Sequence, residues 1–227
     1  MASIVPSILG WDFARLGESL EEVQALGVSA IHIDVIDGHF RPEISIGQPV
    51  VESIRKATRL KLDVHLMIER PERFIESFVN AGADSLAFHI EATRNALLAL
   101  SITRRLGTQA GLAMDPATPL EACRELLDDV DFVLVQAGGA SHMERCLRRV
   151  AGLASERNNR GLNLSIAAEG DFGAGEAEGL LSGGADILVV GSAIFERNER
   201  GEALRAFARA QSGDSSITGQ ELKLRVH

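Results

Sequence analysis

Two imidazoles and two carboxylates stand near the ends of short apolar runs. His32 and Asp34 lie in Ala30–Val35, His65 lies in Lys61–Met67, and Glu169 directly follows Asn163–Ala168. Residues two apart on a strand point to the same face, so His32 and Asp34 project together. Each of the four, taken alone, reads more simply as a hydrogen-bonded core histidine or a surface acid. Taken together they form an N2O2 donor set that suits zinc, iron, manganese or cobalt without selecting among them. A second feature is a turn: Gly191-Ser192 follows the last apolar run and precedes a helical pattern. Backbone N–H groups at such a helix start favour a phosphate dianion.

These side chains need a scaffold that brings distant strand ends to one place. Eight apolar runs alternate with longer helical patterns: Ser3–Leu9, Ala30–Val35, Lys61–Met67, Ser85–His89, Gln109–Met114, Asp131–Gln136, Asn163–Ala168 and Asp186–Val190. Between the first two, Phe13, Leu16, Leu20, Val23 and Leu26 recur at helical spacing. Leu26-Gly27 and Ala81-Gly82-Ala83 read as helix stops followed by the next strand. Such β/α alternation builds either an open doubly wound sheet or a closed barrel. An open parallel sheet is apolar on both faces. Here Ile31, Ile33 and Val35 alternate with Ala30, His32 and Asp34, and Leu62, Val64 and Leu66 alternate with Asp63, His65 and Met67. One face suits helices. The other carries imidazoles and carboxylates that a barrel lumen accepts near its C-terminal mouth. The pattern therefore predicts a single α/β domain, a (β/α)8 TIM barrel over residues 1–211, with a polar C-terminal tail over 212–227.

Composition agrees and removes other classes. The 227 residues are 45% apolar but only 4% aromatic, with 22 glycines and no tyrosine, so the core is aliphatic and disorder is excluded. Net charge is −9 with cations scattered among acids, which excludes a nucleic-acid surface. No apolar run reaches a membrane span, and the N-terminus enters a strand pattern without a signal segment. Cys123 and Cys146 fall in segments read as helices, so reduced thiols and a cytoplasmic location are expected. Asn163-Leu164-Ser165 matches a glycosylation acceptor, but it falls within a predicted strand and is taken as coincidence.

The sequence resembles the ribulose-phosphate 3-epimerase family. The resemblance lies in Val5-Pro6-Ser7-Ile8-Leu9 with Asp12-Phe13-Ala14-Arg15-Leu16-Gly17, and in His32-Ile33-Asp34-Val35-Ile36-Asp37-Gly38-His39-Phe40. It continues in Leu62-Asp63-Val64-His65-Leu66-Met67, Ala81-Gly82-Ala83-Asp84, Pro116-Ala117-Thr118-Pro119-Leu120-Glu121 and Val190-Gly191-Ser192-Ala193-Ile194-Phe195. It implies interconversion of D-ribulose 5-phosphate and D-xylulose 5-phosphate, or action on a close ketose phosphate, through an enediolate. One divalent metal ion would be held by His32, Asp34, His65 and Glu169. Asp34 would take the C3 proton and Glu169 would act as the acid on the opposite face. A proton beside a carbonyl needs a Lewis acid as well as a base, and inversion needs one acid/base group on each side. Ser7 and Met67 would line the pocket, although Met67 reads equally well as lumen filler; Gly170, Gly191 and Ser192 would meet the phosphate. The resemblance also implies a sugar-phosphate substrate and a homo-oligomer.

The sequence departs from that family in places. Strand 7 of the family ends Val-Asp-Gly-Gly, whereas this chain reads Ala167-Ala168-Glu169-Gly170-Asp171. Glu169 keeps the charge on a longer arm, and Asp171 replaces a glycine beside the phosphate. An inward Asp171 would disfavour a phosphorylated substrate. The long family loop after strand 6 is replaced by the shorter run Gln136-Ala137-Gly138-Gly139-Ala140-Ser141-His142, so the lid over the substrate is missing, and Glu43 stands where the family usually has asparagine. These departures leave two alternatives: an epimerase or isomerase acting on another, unphosphorylated sugar, and a catalytically degenerate sugar- or metal-binding homologue. Related decarboxylase and hexulose-phosphate synthase barrels need an Asp-x-Lys-x-x-Asp run, which Leu62-Asp63-Val64-His65 lacks.

Overall fold

The computed structural model describes residues 3–191 apart from Gly139 and Phe172; Ser192, the proposed tail and the end of the barrel domain lie outside the described residues. Eight parallel strands follow one another around the sheet: β1 (Ser3–Pro6), β2 (Ala30–Ile36), β3 (Lys61–Met67), β4 (Ser85–His89), β5 (Gln109–Met114), β6 (Phe132–Gln136), β7 (Ser165–Gly170) and β8 (Ile187–Val190). β1 pairs with β8, and a parallel bridge between Ser7 and His32 joins β1 to β2, so the sheet closes into a barrel. The closed alternative of the sequence reading is the one realised.

Helices α1 (Leu16–Ala25), α2 (Gln48–Ala57), α3 (Ile75–Asn80), α4 (Ala96–Arg105), α5 (Met143–Arg160) and α6 (Ala174–Ser182) cover the outside. The start of the first helical pattern is tighter than its periodicity predicts. Asp12 accepts a hydrogen bond from Ala14 N at 3.0 Å and opens a 3-10 turn, Phe13–Arg15, before α1 begins. The residues expected to stop helices do so: Gly27 and Gly82 take φ of 84° and 109°, which a side chain would resist. Between β5 and β6 the crossover consists of two 3-10 turns, Leu120–Ala122 and Arg124–Leu126. Cys123 therefore sits between two short turns and Cys146 in α5, both buried and free. Asn163 is exposed and precedes β7, so its predicted place inside the strand is corrected; the chain straightens only at Ser165.

Alternation divides the strands as the sequence predicts. Ile31, Ile33, Leu62, Val64, Leu86 and Leu112 face outward to the helices, within the large core cluster. Val5, Ala87, Ala113, Phe132, Leu134, Ala167 and Val189 form a separate cluster that fills the lumen. Filling is complementary: a Cβ on Gly111 would lie 2.2 Å from the Phe132 ring, so the strand-5 glycine makes room for the lumen's large aromatic.

Register is fixed at the strand entries by one repeated device. Asp84, Asp131 and Asp186 precede β4, β6 and β8, and each carboxylate accepts a backbone N–H from the strand before. The acceptances are from Leu62 N at 2.8 Å, Ala110 N at 2.8 Å and Ile166 N at 2.9 Å. Side-chain direction follows register, so these contacts decide which residues reach the lumen. Asp131→Ala strands the Ala110 N–H and is expected to cost about 1–3 kcal/mol in urea unfolding. An unchanged urea midpoint would remove this role.

Candidate active site

The lumen-facing positions of β2, β3 and β7 end in polar residues at the C-terminal mouth. His32 and Asp34 project from β2, His65 from β3 and Glu169 from β7, and their donor atoms lie within 4.8 Å of one another. His32 Nε2 is 3.2 Å from Asp34 Oδ1 and 3.8 Å from Glu169 Oε2. His65 Nδ1 is 3.2 Å from Asp34 Oδ1 and 3.1 Å from Glu169 Oε2. A tetrahedral centre with ligand bonds of about 2.1 Å has ligand–ligand edges of about 3.4 Å. The observed separations bracket that edge. Glu169 Oε2 is buried and makes no hydrogen bond of acceptable geometry among the described residues, as expected of an atom aimed at a shared centre. The longer arm of Glu169 therefore reaches the cluster, and the four residues fit a divalent cation.

A supporting layer fixes these side chains. His32 Nδ1 lies 2.7 Å from Asp63 Oδ2, and Asp63 Oδ1 accepts a 2.5 Å hydrogen bond from Ser85 Oγ. This holds the His32 ring with Nε2 toward the cluster, the usual carboxylate–histidine arrangement behind a metal. Ser7 Oγ donates to Asp34 Oδ2 at 2.6 Å, leaving Oδ1 to face the histidines. Of the other predicted residues, Met67 is buried beside the cluster, its sulfur 3.4 Å from Gln136 Nε2. Gly170 closes β7 opposite Val190. Gly191 follows β8, and Asp171 Oδ1 lies 2.7 Å from where a Cβ on Gly191 would be, so the Asp171 carboxylate leans against Gly191.

Local sequence gives no role to Asp63, Ser85 or a second polar group at the mouth made by His89, Glu91 and Asp115. Parity was a signal for Asp63, two residues before His65 on one strand. Its meaning needed the register that sets His32 opposite it. Arg41, in the loop after β2, reaches both Asp115 and Gln136 at the ends of β5 and β6. Nothing in the local sequence marks that span.

Electrostatics follow from burying two acids with two imidazoles. Burial alone would neutralise His65, but the Glu169 and Asp34 carboxylates outweigh it and push its pKa up to about 9. Burial opposes charge on His32 too, yet Asp34 and Asp63 hold its pKa well above the ordinary value. Asp34, raised by burial but held more strongly by His32 and His65, stays well below the carboxylate range. In the metal-free protein the imidazolium protons supply the positive charge that a cation would bring. The sign for stability follows. The His65 contribution is fully present below its unfolded value near 6.5 and is lost as pH rises through about 9. Metal-free protein should therefore lose urea resistance between pH 6.5 and 9.5, whereas metal-loaded protein should not. A metal-free midpoint that rises with pH across this window would contradict the assignment.

Residues 3–195 match the family model described as the ribulose-phosphate 3 epimerase family. A ribulose-phosphate 3-epimerase of Bacillus subtilis (strain 168) is 38% identical over 212 residues, covering 90% of this chain and 97% of that protein. One from Treponema pallidum (strain Nichols) is 39% identical over 198 residues, covering 85% and 91%. Among solved structures, 3-hexulose-6-phosphate synthase from Salmonella typhimurium superposes with a TM-score of 0.70 at 18% identity, covering 94% of this chain and 99% of that one. That likeness speaks to the barrel fold alone. With its motifs, its closed barrel and relatives matched nearly end to end, the chain belongs to the ribulose-phosphate 3-epimerase family.

Proposed function

We propose that this chain is an isomerase that interconverts D-ribulose 5-phosphate and D-xylulose 5-phosphate by moving a proton at C3. The observation that carries the reading is the convergence of Asp34 and Glu169 on one buried cluster with His32 and His65. Two carboxylates from strands on different sides of the mouth match the need for one acid/base group on each face of a planar enediolate. Asp34 is the base, with Ser7 orienting its carboxylate. Glu169 returns the proton from the other face. His32 and His65 hold the charge of the pair, and Asp63 locks the His32 ring. A divalent cation bound by His32, Asp34, His65 and Glu169 would supply the Lewis acidity that acidifies the C3 proton, and the donor set admits zinc, iron, manganese or cobalt. Met67 walls the pocket, and Gly170, Gly191 and Ser192 take the phosphate.

Cys123 and Cys146, whose thiols burial pushes up to about 11 and about 12, support a cytoplasmic protein with reduced cysteines. Among the described residues no helix is long and apolar enough to cross a membrane. Leu9, Phe13 and Ile44, exposed in the loops after neighbouring strands β1 and β2, support the homo-oligomer that the family resemblance implies.

One observation favours a second reading, an epimerase of an unphosphorylated ketose: the Asp171 carboxylate leaning against Gly191. Proton–deuterium exchange at C3 in deuterated water, with protein loaded in turn with each metal, separates the readings. Exchange with inversion on D-ribulose 5-phosphate is expected. Activity confined to D-ribulose would favour the second reading, and no exchange with either sugar would remove both. Asp34→Asn should lower the rate by about 10²–10⁴-fold with the fold intact. Glu169→Asp, which withdraws the carboxylate by one bond, should lower it by about 10–100-fold; a gain would mean that Glu169 is misplaced. Asp171→Gly should lower KM for the phosphorylated ketose several-fold and leave that for the unphosphorylated one unchanged. An equal change in both would assign Asp171 a role unrelated to charge.

A further inference from the structure

The mouth of the barrel has a second polar arc, on β4, β5 and β6, that the proton transfer does not use. His89, the last residue of β4, follows Ala87 by two positions and so faces the lumen, where it is fully buried. Its ring packs against two others: the His65 ring stacks on it at 5.0 Å and 25°, and the Phe40 ring lies 4.7 Å away, tilted by 45°. Its Nδ1 is 3.1 Å from Glu91 Oε2. Glu91 is itself anchored, because its other oxygen accepts hydrogen bonds from Asp115 N at 2.9 Å and from the Thr118 hydroxyl. A carboxylate held this way accepts a hydrogen bond from His89 Nδ1–H, which leaves the ring's other nitrogen as a lone-pair acceptor. That atom, Nε2, is buried and has no partner among the described residues. A rigid, oriented and unsatisfied acceptor beside a metal-ligand ring is costly unless a ligand donor meets it.

The cluster His89, Glu91 and Asp115 is compact enough to hold a cation. Its carboxylates are already committed: Asp115 accepts from Arg41, and Glu91 from three donors. A hydrogen-bond donor fits the remaining lone pair better than a metal does.

We infer that His89 Nε2 accepts a hydrogen bond from a substrate hydroxyl flanking the reacting C2–C3 pair, at C1 or C4, with Glu91 as the positioning residue that fixes the ring. This rests on the epimerase reading above. Phe40, Arg41 and Asp115 then frame the β4–β5 side of the mouth, with Gln136 between them and Glu169, its register partner on β7, and hold the carbon chain in place while Asp34 and Glu169 act.

The test compares D-ribulose 5-phosphate with its 1-deoxy and 4-deoxy analogues in the metal-loaded wild type, His89→Asn and His89→Gln. Asparagine places an amide where Nδ1 was and keeps the Glu91 contact but lacks an atom at the Nε2 position; glutamine restores one there. The wild type should discriminate against one analogue by about 10–100-fold in kcat/KM, the loss expected for one buried hydrogen bond. His89→Asn should lose activity on the full substrate by the same factor and discriminate less than about threefold, with metal content and urea midpoint unchanged. His89→Gln should recover part of the discrimination. Equal discrimination in wild type and His89→Asn would overturn the contact while leaving the epimerase reading standing. So would a second equivalent of zinc bound by the wild type and lost in His89→Asn, which would make the cluster a cation site. A wild type inactive on D-ribulose 5-phosphate would remove the epimerase reading and this contact with it.

Discussion

Two carboxylates and two imidazoles face one another inside an aliphatic barrel, and the rest of the structure is arranged around that constraint. Charge buried without compensation is costly. The four donor atoms therefore have to be held close together, and each side chain fixed from behind. Asp63 and Ser85 hold His32, Ser7 holds Asp34, and the arm of Glu169 crosses from β7 to meet the two histidines. The lumen below is filled by aliphatic side chains with Phe132 fitted against Gly111, while Asp63 and Ser85 also line a cavity at the strand-entry end.

Strand register converts this requirement into a fold requirement. His32 and Asp63 meet because β2 and β3 pair in one register, and a one-residue slip of either strand would send its own pair, His32 and Asp34 or Asp63 and His65, to the helix side. The strand-entry aspartates Asp84, Asp131 and Asp186 fix the pairing at the opposite end of the barrel. Stability at the bottom and chemistry at the top are thus coupled through the pleat of each strand, the usual division of labour in such barrels.

The mouth itself divides into two arcs. Strands β2, β3 and β7 carry the groups that would bind a cation and move protons; β4, β5 and β6 carry His89, Asp115 and Gln136, tied together by Glu91 and Arg41. The chain is short between β6 and α5, so no long loop rises there. Arg41 spans from the loop after β2 to the ends of β5 and β6, bringing a cation and a fixed hydrogen-bond network to that side of the mouth.

Much of this was legible in the sequence. Alternation of apolar and polar residues in Ala30–Val35 and Lys61–Met67 separates a helix face from a lumen face, because side chains on a strand alternate strictly. Eight β/α units admit an open sheet or a barrel, the polar faces of these two strands select the barrel, and the positions of His32, Asp34, His65 and Glu169 near strand ends place four donors at one end of it. The sequence could not decide whether the longer Glu169 arm reaches the cluster, or which way Asp171 leans, since both depend on distances between strands far apart in the chain. Asp63, His89 and Arg41 carry no local mark of their roles. Each acquires one from a neighbour 31, 24 or 95 positions away, as His32 meets Asp63, His65 stacks on His89 and Gln136 meets Arg41. The sequence alone determined the periodicity, and with it which face each side chain takes. Only closure and register, which set one strand end against another, decided which of those side chains touch.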